Sequence, residues 1–218
     1  REGIGDVLAE GVRHAAEVFG GGSSDFAMQI KGLEISGYES RDAPAMMLAY
    51  MTADIGAHHN RAWAITYDIE VGRDGVTPDK AAKVIDLQHI RPLLDALGCC
   101  RLQWVELGMP LDYYVPAMKT ITGIDRSWDD LIHVAERVWN LTRSFWVREM
   151  DGFGREWDYP PPRWYTDPVP TGPSKGKFVT KENVDKLLDM YYEQRGWNQN
   201  GIPTREKLDQ LGLDFVTS

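Results

Sequence analysis

The sequence predicts a mainly α fold: an irregular multi-helical domain or domains with a wrapping loop rich in proline and aromatic residues. Three observations support this prediction. After Ser127, apolar residues follow the 3.6-residue period of a helix for about five turns. Period-two runs of β-branched residues, typical of strands, are short. Residues 152–177 combine many prolines with tryptophan and tyrosine, so we expect an ordered loop without regular structure that lies over the helices or over a part of the protein outside this chain.

Most of the predicted helices have recognisable start or stop signals. The first ends at the glycines of residues 20–22, and Pro44 and Pro78 stand where a first helical turn tolerates proline. Ser127 and Asp130 have the spacing of a capping box. We expect a bend at Pro92. The predicted helices are 6–19, 43–55, 77–97, 110–121, 127–146, 180–194 and 204–211.

Composition excludes several classes of protein. The 218 residues carry a formal charge of -9, which disfavours nucleic acid and anionic lipid as partners. No apolar run is long enough to cross a bilayer, so we expect no membrane association. The two cysteines are adjacent, which rules out a disulfide framework and favours a reducing compartment, the cytoplasm. The chain begins at Arg1 without an initiator methionine, and we expect it to be part of a longer protein.

Two local clusters contain side chains with specific chemistry. In the first, Asp95 is followed by Gly98, Cys99 and Cys100 at a predicted helix end. A glycine in the left-handed region there would turn the following amides and thiols towards a ligand, and thiolates bind soft metals. The alternative is that both cysteines are small buried hydrophobic residues.

The second cluster, residues 56–61, contains His58, His59 and Arg61. A histidine can transfer protons near neutral pH, and an arginine can hold a carboxylate or phosphate. Adjacent histidines point in different directions, so at most one should face a site; the alternative is a histidine held by a backbone carbonyl. Neither cluster has the ligand spacing that would indicate a zinc site.

Six collinear segments carry a resemblance to a known family. They read GDVLAEGVRHAAE, MQIKGLEISGYESRDAP, LAYMTADIGAHHNRAW, DALGCC, RVWNLTRSFWVRE and YYEQRGWNQNGIPTREKLDQLGL. Together they resemble the C-terminal helical region of the tungsten-containing aldehyde:ferredoxin oxidoreductases. The resemblance implies the C-terminal helical fold of that family. It divides the chain into residues 1–40, the end of the preceding helical domain or a bridging segment, and residues 41–218, the C-terminal helical domain.

The resemblance also implies roles for the first cluster. The family motif D-x-x-G-L-C contacts a pterin and supplies one thiolate to a [4Fe–4S] cluster. Asp95 and Gly98 therefore become pterin contacts, and Cys100 becomes the metal ligand. Cys99 stands where the family has leucine; we group it with the cofactor-binding residues, with a bystander thiol as the alternative. From the second cluster, His59 is chosen over His58 as the catalytic residue near the metal.

The implied parent protein oxidises aldehydes to carboxylic acids with a tungsten or molybdenum bis-pterin, and passes electrons through the cluster to ferredoxin or a similar protein. N-terminal domains of the same chain would supply the other cluster cysteines, so we expect this chain alone to be inactive and free of cofactor. Faces against those domains should be apolar, and we expect a homo-oligomer. Two alternatives stay open: the tungsten subunit of an aryl-CoA reductase, and a non-catalytic helical interaction module.

Overall fold

The computed structural model of the chain describes residues 1–105 and 107–216. The secondary structure in these ranges is almost entirely helical, which confirms the mainly α prediction. The α-helices are α1 Ile4–Leu8, α2 Gly11–Phe19, α3 Pro44–Thr52, α4 Ile65–Val71, α5 Pro78–Ala96, α6 Leu102–Val105, α7 Tyr114–Thr122, α8 Trp128–Glu149, α9 Arg163–Thr166, α10 Lys181–Arg195 and α11 Arg205–Gln210.

Helix α3 lies at the centre of the main core. Every residue from Ala45 to Thr52 is buried. Such a helix needs partners for its first backbone amides, because no side chain caps it from within. The buried carboxylate of Asp68, from α4, accepts hydrogen bonds from the Ala45 and Met46 amides at 3.1 and 3.0 Å, and Lys80 Nζ lies 2.9 Å from the same carboxylate. An acid on α4 therefore fixes the start of α3.

Helix α5 packs against α3, α8 and α10, so it connects the main core to the longest helix. It runs without interruption through Pro92. Helix α8 begins with the predicted capping box: Ser127 accepts from the Asp130 amide, and Asp130 accepts from the Ser127 amide. The start of α8 is thus confirmed, and Leu131, Ala135 and Trp139 of the predicted apolar stripe are buried, whereas Phe145 is exposed.

A two-residue hairpin precedes α3. Strands β1 Gln29–Ile30 and β2 Leu33–Glu34 pair antiparallel around Lys31 and Gly32, which both have positive φ. Positive φ is unusual for any residue other than glycine. Lys31 is held in this conformation because its ammonium group contacts the buried Asp158 at 2.6 Å and also donates to the carbonyl of Met51.

The aromatic-rich segment covers the helices, as predicted, but it is more regular than predicted. Trp164 is buried in the main core, and Tyr159 and Tyr165 pack against it. The segment contains a 3₁₀ turn at Arg155–Asp158 and helix α9, so the expectation of no regular structure was wrong. Proline is compatible with the beginnings of short helical turns, which explains the difference.

The predicted helix 6–19 is divided in two, and α4 was not predicted. The division occurs at Gly11, whose φ is +90°, because the Glu34 carboxylate accepts from the Val12 amide at 2.8 Å and thereby starts α2. Ile30 belongs to the same core as α3, so the segment 1–40 contributes to that core; the boundary at residue 40 stays a prediction. Among the described residues, no helix is both long and apolar enough to cross a membrane.

Candidate functional site

The two predicted histidines lie on a turn that follows α3, and this turn packs directly on the hairpin. Gly56 has φ +103°, and a Cβ there would lie 2.7 Å from Leu33 Cβ and 2.8 Å from the Ile30 carbonyl oxygen. The Ala57 amide donates to that carbonyl at 3.3 Å. Only glycine permits this approach, so Gly56 fixes the position of the histidine turn.

His59 is half-buried among aromatic rings. Its Nδ1 lies 2.9 Å from Ser36 Oγ, and its ring stacks on His58 with the centroids 5.5 Å apart. Tyr38 and Trp63 contact it at centroid distances of 5.7 and 6.0 Å. Within the described residues Nε2 of His59 makes no hydrogen bond, so this nitrogen is available to an external partner.

His58 is fixed differently. Its Nδ1 accepts a hydrogen bond from the Asn60 amide at 3.1 Å, within the same turn. The two imidazoles stack on one half-buried surface, so the expectation that adjacent histidines point in different directions was wrong. One ring is held by a distant serine and the other by its own backbone. The choice of His59 as the catalytic residue stays a prediction.

The environment lowers the pKa of both histidines below the ordinary value of 6.5. For His59 the largest cause is burial, which disfavours the charged imidazolium, and the positive charges of His58, Arg101 and Arg91 lower the pKa further. His59 is therefore neutral at pH 7. Its Nε2 can then accept a proton, or donate one, according to the tautomer.

We expect an NMR titration of His59 to show a midpoint below 6.5. Because Arg101 contributes to the shift, Arg101→Gln should raise the midpoint, whereas Arg137→Gln, which removes an exposed charge from α8, should leave it unchanged. A group whose folded-state pKa is lowered binds fewer protons than in the unfolded chain, so its contribution to stability is lost as the pH falls below 6.5. A midpoint at or above 6.5 would contradict the environment described here.

Arg61 connects the histidine turn to the end of α5. Its guanidinium pairs with the carboxylate of Asp95 through Nη1, and its Nε lies 3.0 Å from Asp54 Oδ1. Asp95 is exposed over 64% of its side chain, whereas Asp54 is more buried. Burial raises the pKa of Asp54, and the charge of Arg61 opposes that rise. Through Arg61, the two clusters predicted from the sequence meet on one face.

The end of α5 has the geometry predicted for Gly98. With φ +69°, Gly98 donates its amide to the Asp95 carbonyl at 3.0 Å, and the Cys99 amide donates to the Leu94 carbonyl at 2.9 Å. This is a Schellman motif, which satisfies the last carbonyls of the helix. A Cβ at Gly98 would meet no atom within 4 Å, so this backbone is exposed at the surface.

The two thiols have different surroundings. Cys99 is half-buried, with its Sγ 3.5 Å from the Leu97 carbonyl, and it packs against Leu94 and Tyr114. Cys100 is exposed. The geometry therefore favours Cys100 over Cys99 as the ligand of an external group. Among the described residues, no group of three or more His, Cys, Asp or Glu side chains could hold a metal ion.

Sequence reasoning missed the polar atoms that are buried here without partners. In the described part of the chain, four residues have such side-chain atoms: Tyr50, Asn60, Arg91 and Tyr165; the buried Asp54 Oδ1 and Arg61 Nε also make no hydrogen bond but lie 3.0 Å from each other as an ion pair. All except Tyr165 belong to α3, the histidine turn or α5. Buried polar groups are normally paired, so an unpaired one is a candidate for a ligand contact. The unpaired polar atoms of Asn60 and Arg91 have the chemistry to hydrogen-bond a polar cofactor.

Arg91 left a signal in the sequence. It lies on the buried face of α5, seven residues after Val84, four after Leu87 and three before Leu94, which are the spacings of one helix face. A charged residue on an apolar stripe is rare without a partner or a function. The sequence alone therefore shows that Arg91 departs from the apolar pattern of this helix face.

Comparisons with known proteins identify the family. Residues 1–213 match the family model described as aldehyde ferredoxin oxidoreductase, domains 2 & 3. The tungsten-containing aldehyde ferredoxin oxidoreductase of Pyrococcus horikoshii is 33% identical over 219 residues, which cover 98% of this chain and 35% of that protein. An aliphatic sulfonate oxidoreductase, WOR-like subunit, from Pyrococcus furiosus is 27% identical, covering 98% of this chain and 33% of the relative.

A solved structure has the same fold. The active-site complex of benzoyl-coenzyme A reductase with 1,5-dienoyl-CoA contains a chain that matches with a TM-score of 0.72 and 27% identity. The match covers 99% of this chain and 37% of the other. This chain thus spans well under half the length of the relatives that it matches. The matches extend over nearly the whole chain, which therefore belongs to the aldehyde ferredoxin oxidoreductase family.

Proposed function

We propose that this chain is the C-terminal helical part of an oxidoreductase that converts aldehydes to carboxylic acids and transfers the electrons through a [4Fe–4S] cluster to ferredoxin. The tungsten-containing relatives support this proposal through their names and their identity to this chain. The observation that carries it is the ion pair between Arg61 and Asp95, which joins the histidine turn to the cysteine-bearing end of α5.

The residues of this face fit the cofactors of such an enzyme. Cys100 presents an exposed thiol for iron, while Gly98 and Asp95 present open backbone and a carboxylate for a pterin. When bound, the tungsten or molybdenum centre would supply two-electron redox chemistry and the cluster would supply single-electron transfer. The chain alone would lack three cluster ligands, which we assign to N-terminal domains of the same protein.

His59 would hold or move a proton at the substrate oxygen. Ser36 fixes its ring through Nδ1 and leaves Nε2 available, and its lowered pKa keeps it neutral at pH 7. The rings of Tyr38 and Trp63 pack around the imidazole and help to fix its orientation. A positioned general acid or base contributes about 10²–10⁴-fold to the rate.

The proposal is tested with the longer protein, prepared without oxygen, by measuring aldehyde-dependent reduction of ferredoxin. We expect His59→Gln to lower kcat by about 10²–10⁴-fold, whereas His14→Gln, an exposed histidine on α2, should leave it unchanged. An upstream sequence without the three further cysteines that a [4Fe–4S] cluster needs, or a metal-free protein, would contradict the proposal and favour a helical interaction module.

A second candidate is the tungsten subunit of an aryl-CoA reductase. It is favoured by one observation, the TM-score of 0.72 to the benzoyl-coenzyme A reductase complex. The higher identity of 33% to an aldehyde oxidoreductase favours the first candidate. Turnover of a cyclic dienoyl-CoA with no turnover of aldehydes would reverse this order.

A further inference from the structure

The first 26 residues of the chain contribute almost nothing to its core. Of residues 1–26, all of which the structure describes, only Ala15 and Ala16 are buried. Helix α1, five residues long and described in full, has no buried residue. Helices as short as α1 and α2 are not stable in water by themselves, and in proteins they are stabilised mainly by packing an apolar face. Most of the packing that such helices need is therefore missing from this chain.

Both helices expose apolar side chains at the spacing of a helix face. Ile4 and Leu8 lie four residues apart on one face of α1, and Val12 and Phe19 lie seven residues apart on one face of α2. Each of these four side chains is between 37% and 67% exposed. Single exposed apolar residues are common, but apolar faces that stay exposed indicate an interaction site.

Polar contacts position α2 on the rest of the chain. The Glu34 carboxylate accepts a hydrogen bond from the Val12 amide at 2.8 Å, and the Arg13 guanidinium lies over the ring of Trp157, 5.4 Å from its centroid. A capping hydrogen bond and a cation–π contact can fix the orientation of a helix without covering its apolar face. The exposed faces of α1 and α2 are thus held in place for another surface.

The length of the relatives indicates which surface this is. The family model that matches this chain comprises domains 2 & 3, so the family has a further domain, and this chain covers only 35% of a relative's length. A second copy of the chain fits less well, because a two-fold interface places the same segment opposite itself. Residues 1–26 carry five acidic side chains and two arginines, and like charges across an interface are unfavourable.

We propose that the exposed apolar faces of α1 and α2 dock on a domain of the same polypeptide that lies outside this chain. The surface that receives them is apolar at its centre and carries basic side chains at its edge, which complement the acids of residues 1–26. This inference rests on the exposed faces and on the length of the relatives. It does not depend on the proposed activity.

Hydrogen exchange followed by mass spectrometry tests the interface by comparing the 218-residue chain with the longer protein. We expect the amides of α1 and α2 to exchange at least about tenfold more slowly in the longer protein, because docking stabilises both helices. Leu8→Asp should remove this protection in the longer protein. In the 218-residue chain the same substitution should change the exchange of α2 little, because Leu8 is exposed there.

Two further variants separate docking from a general loss of structure. Leu8→Met keeps an apolar side chain of similar volume and should retain the protection. Asp6→Asn changes an exposed side chain two residues from Leu8, on the opposite side of α1, and should leave the exchange of both proteins unchanged. In every variant the amides of the buried helix α3 should exchange as in the wild type, which shows that the core is intact.

Three results would overturn the interface. The amides of α1 and α2 exchange equally fast in both proteins, the longer protein keeps their protection in Leu8→Asp, or the protection disappears when either protein is diluted to a monomer. The last result would assign the faces to a second copy. The measurement needs neither a metal nor a substrate, so its failure would leave the tests of the proposed function unaffected.

Discussion

Replacing Asp158 with alanine is expected to lower the free energy of unfolding by about 3–5 kcal/mol, the usual effect of removing one partner from a buried ion pair. Asp158 is fully buried. Its carboxylate accepts from two nitrogens of Arg143 at 3.1 and 2.7 Å and from Tyr192 Oη at 2.6 Å, and it lies 2.6 Å from Lys31 Nζ. The substitution leaves two cations buried without a counter-charge.

The two cations would respond differently. Burial already lowers the pKa of Lys31, so this amine can lose its proton in the variant, whereas Arg143 cannot. Burial alone would raise the pKa of Asp158, but the charges of Arg143 and Lys31 outweigh burial and lower it. A carboxyl with a lowered folded-state pKa stabilises above its unfolded pKa of 3.8, and that contribution is lost as the pH falls further.

Urea denaturation of the chain at pH 7 measures this effect. The matched control is Asp209→Ala, which removes an exposed pair with Arg205 at 2.9 Å and should cost less than about 1 kcal/mol. Equal effects of the two substitutions would show that the buried network does not stabilise the fold as described.

Replacing Cys100 with serine in the longer protein is expected to remove the visible absorption of its iron–sulfur cluster. The thiol is exposed at the end of α5, directly after the open backbone of Gly98. A hydroxyl is a far poorer iron ligand than a thiolate, and a four-iron cluster needs its cysteines. Both the visible absorption and the iron content of the protein should therefore fall.

Cys99→Ser is the matched control, because it changes the same atom in the adjacent residue. The Cys99 thiol packs against Leu94 and Tyr114, so its replacement should affect stability slightly and leave the visible spectrum unchanged. Loss of the spectrum in Cys99→Ser with retention in Cys100→Ser would reverse the assignment of the two cysteines.

The helices that the sequence predicts well are those with local signals. The capping box at Ser127 and the periodic apolar residues that follow define α8, and the apolar run after Pro44 defines the buried α3. Gly98 was predicted in the left-handed region and is found there. Such signals depend on the geometry of one helix, so no tertiary information is needed.

Features that depend on distant contacts were not predictable. Helix α4 is short and includes Asp68, whose role is to cap α3 across 22 or more residues of sequence. Lys31 has positive φ because Asp158 holds its ammonium group, a pairing separated by most of the chain. Neither contact leaves a local pattern.

The candidate site shows the same limit. The sequence singled out the segment around Cys100 and the paired histidines as two candidate clusters, but it could not show that Arg61 connects them through Asp95. Arg91 interrupts the apolar pattern of α5, yet only the structure shows that its Nε and Nη1 have no hydrogen-bond partner among the described residues. The proposed roles of these residues come from the family resemblance, and their positions come from the structure.

The central claim is that Cys100 and the face that it shares with His59 complete a metallocofactor site in a longer protein. Its most direct test is metal analysis with visible spectroscopy of that protein, prepared without oxygen. We predict tungsten or molybdenum together with about four irons per chain and the broad absorption of an iron–sulfur cluster. A folded longer protein that contains neither iron nor tungsten nor molybdenum would contradict the claim.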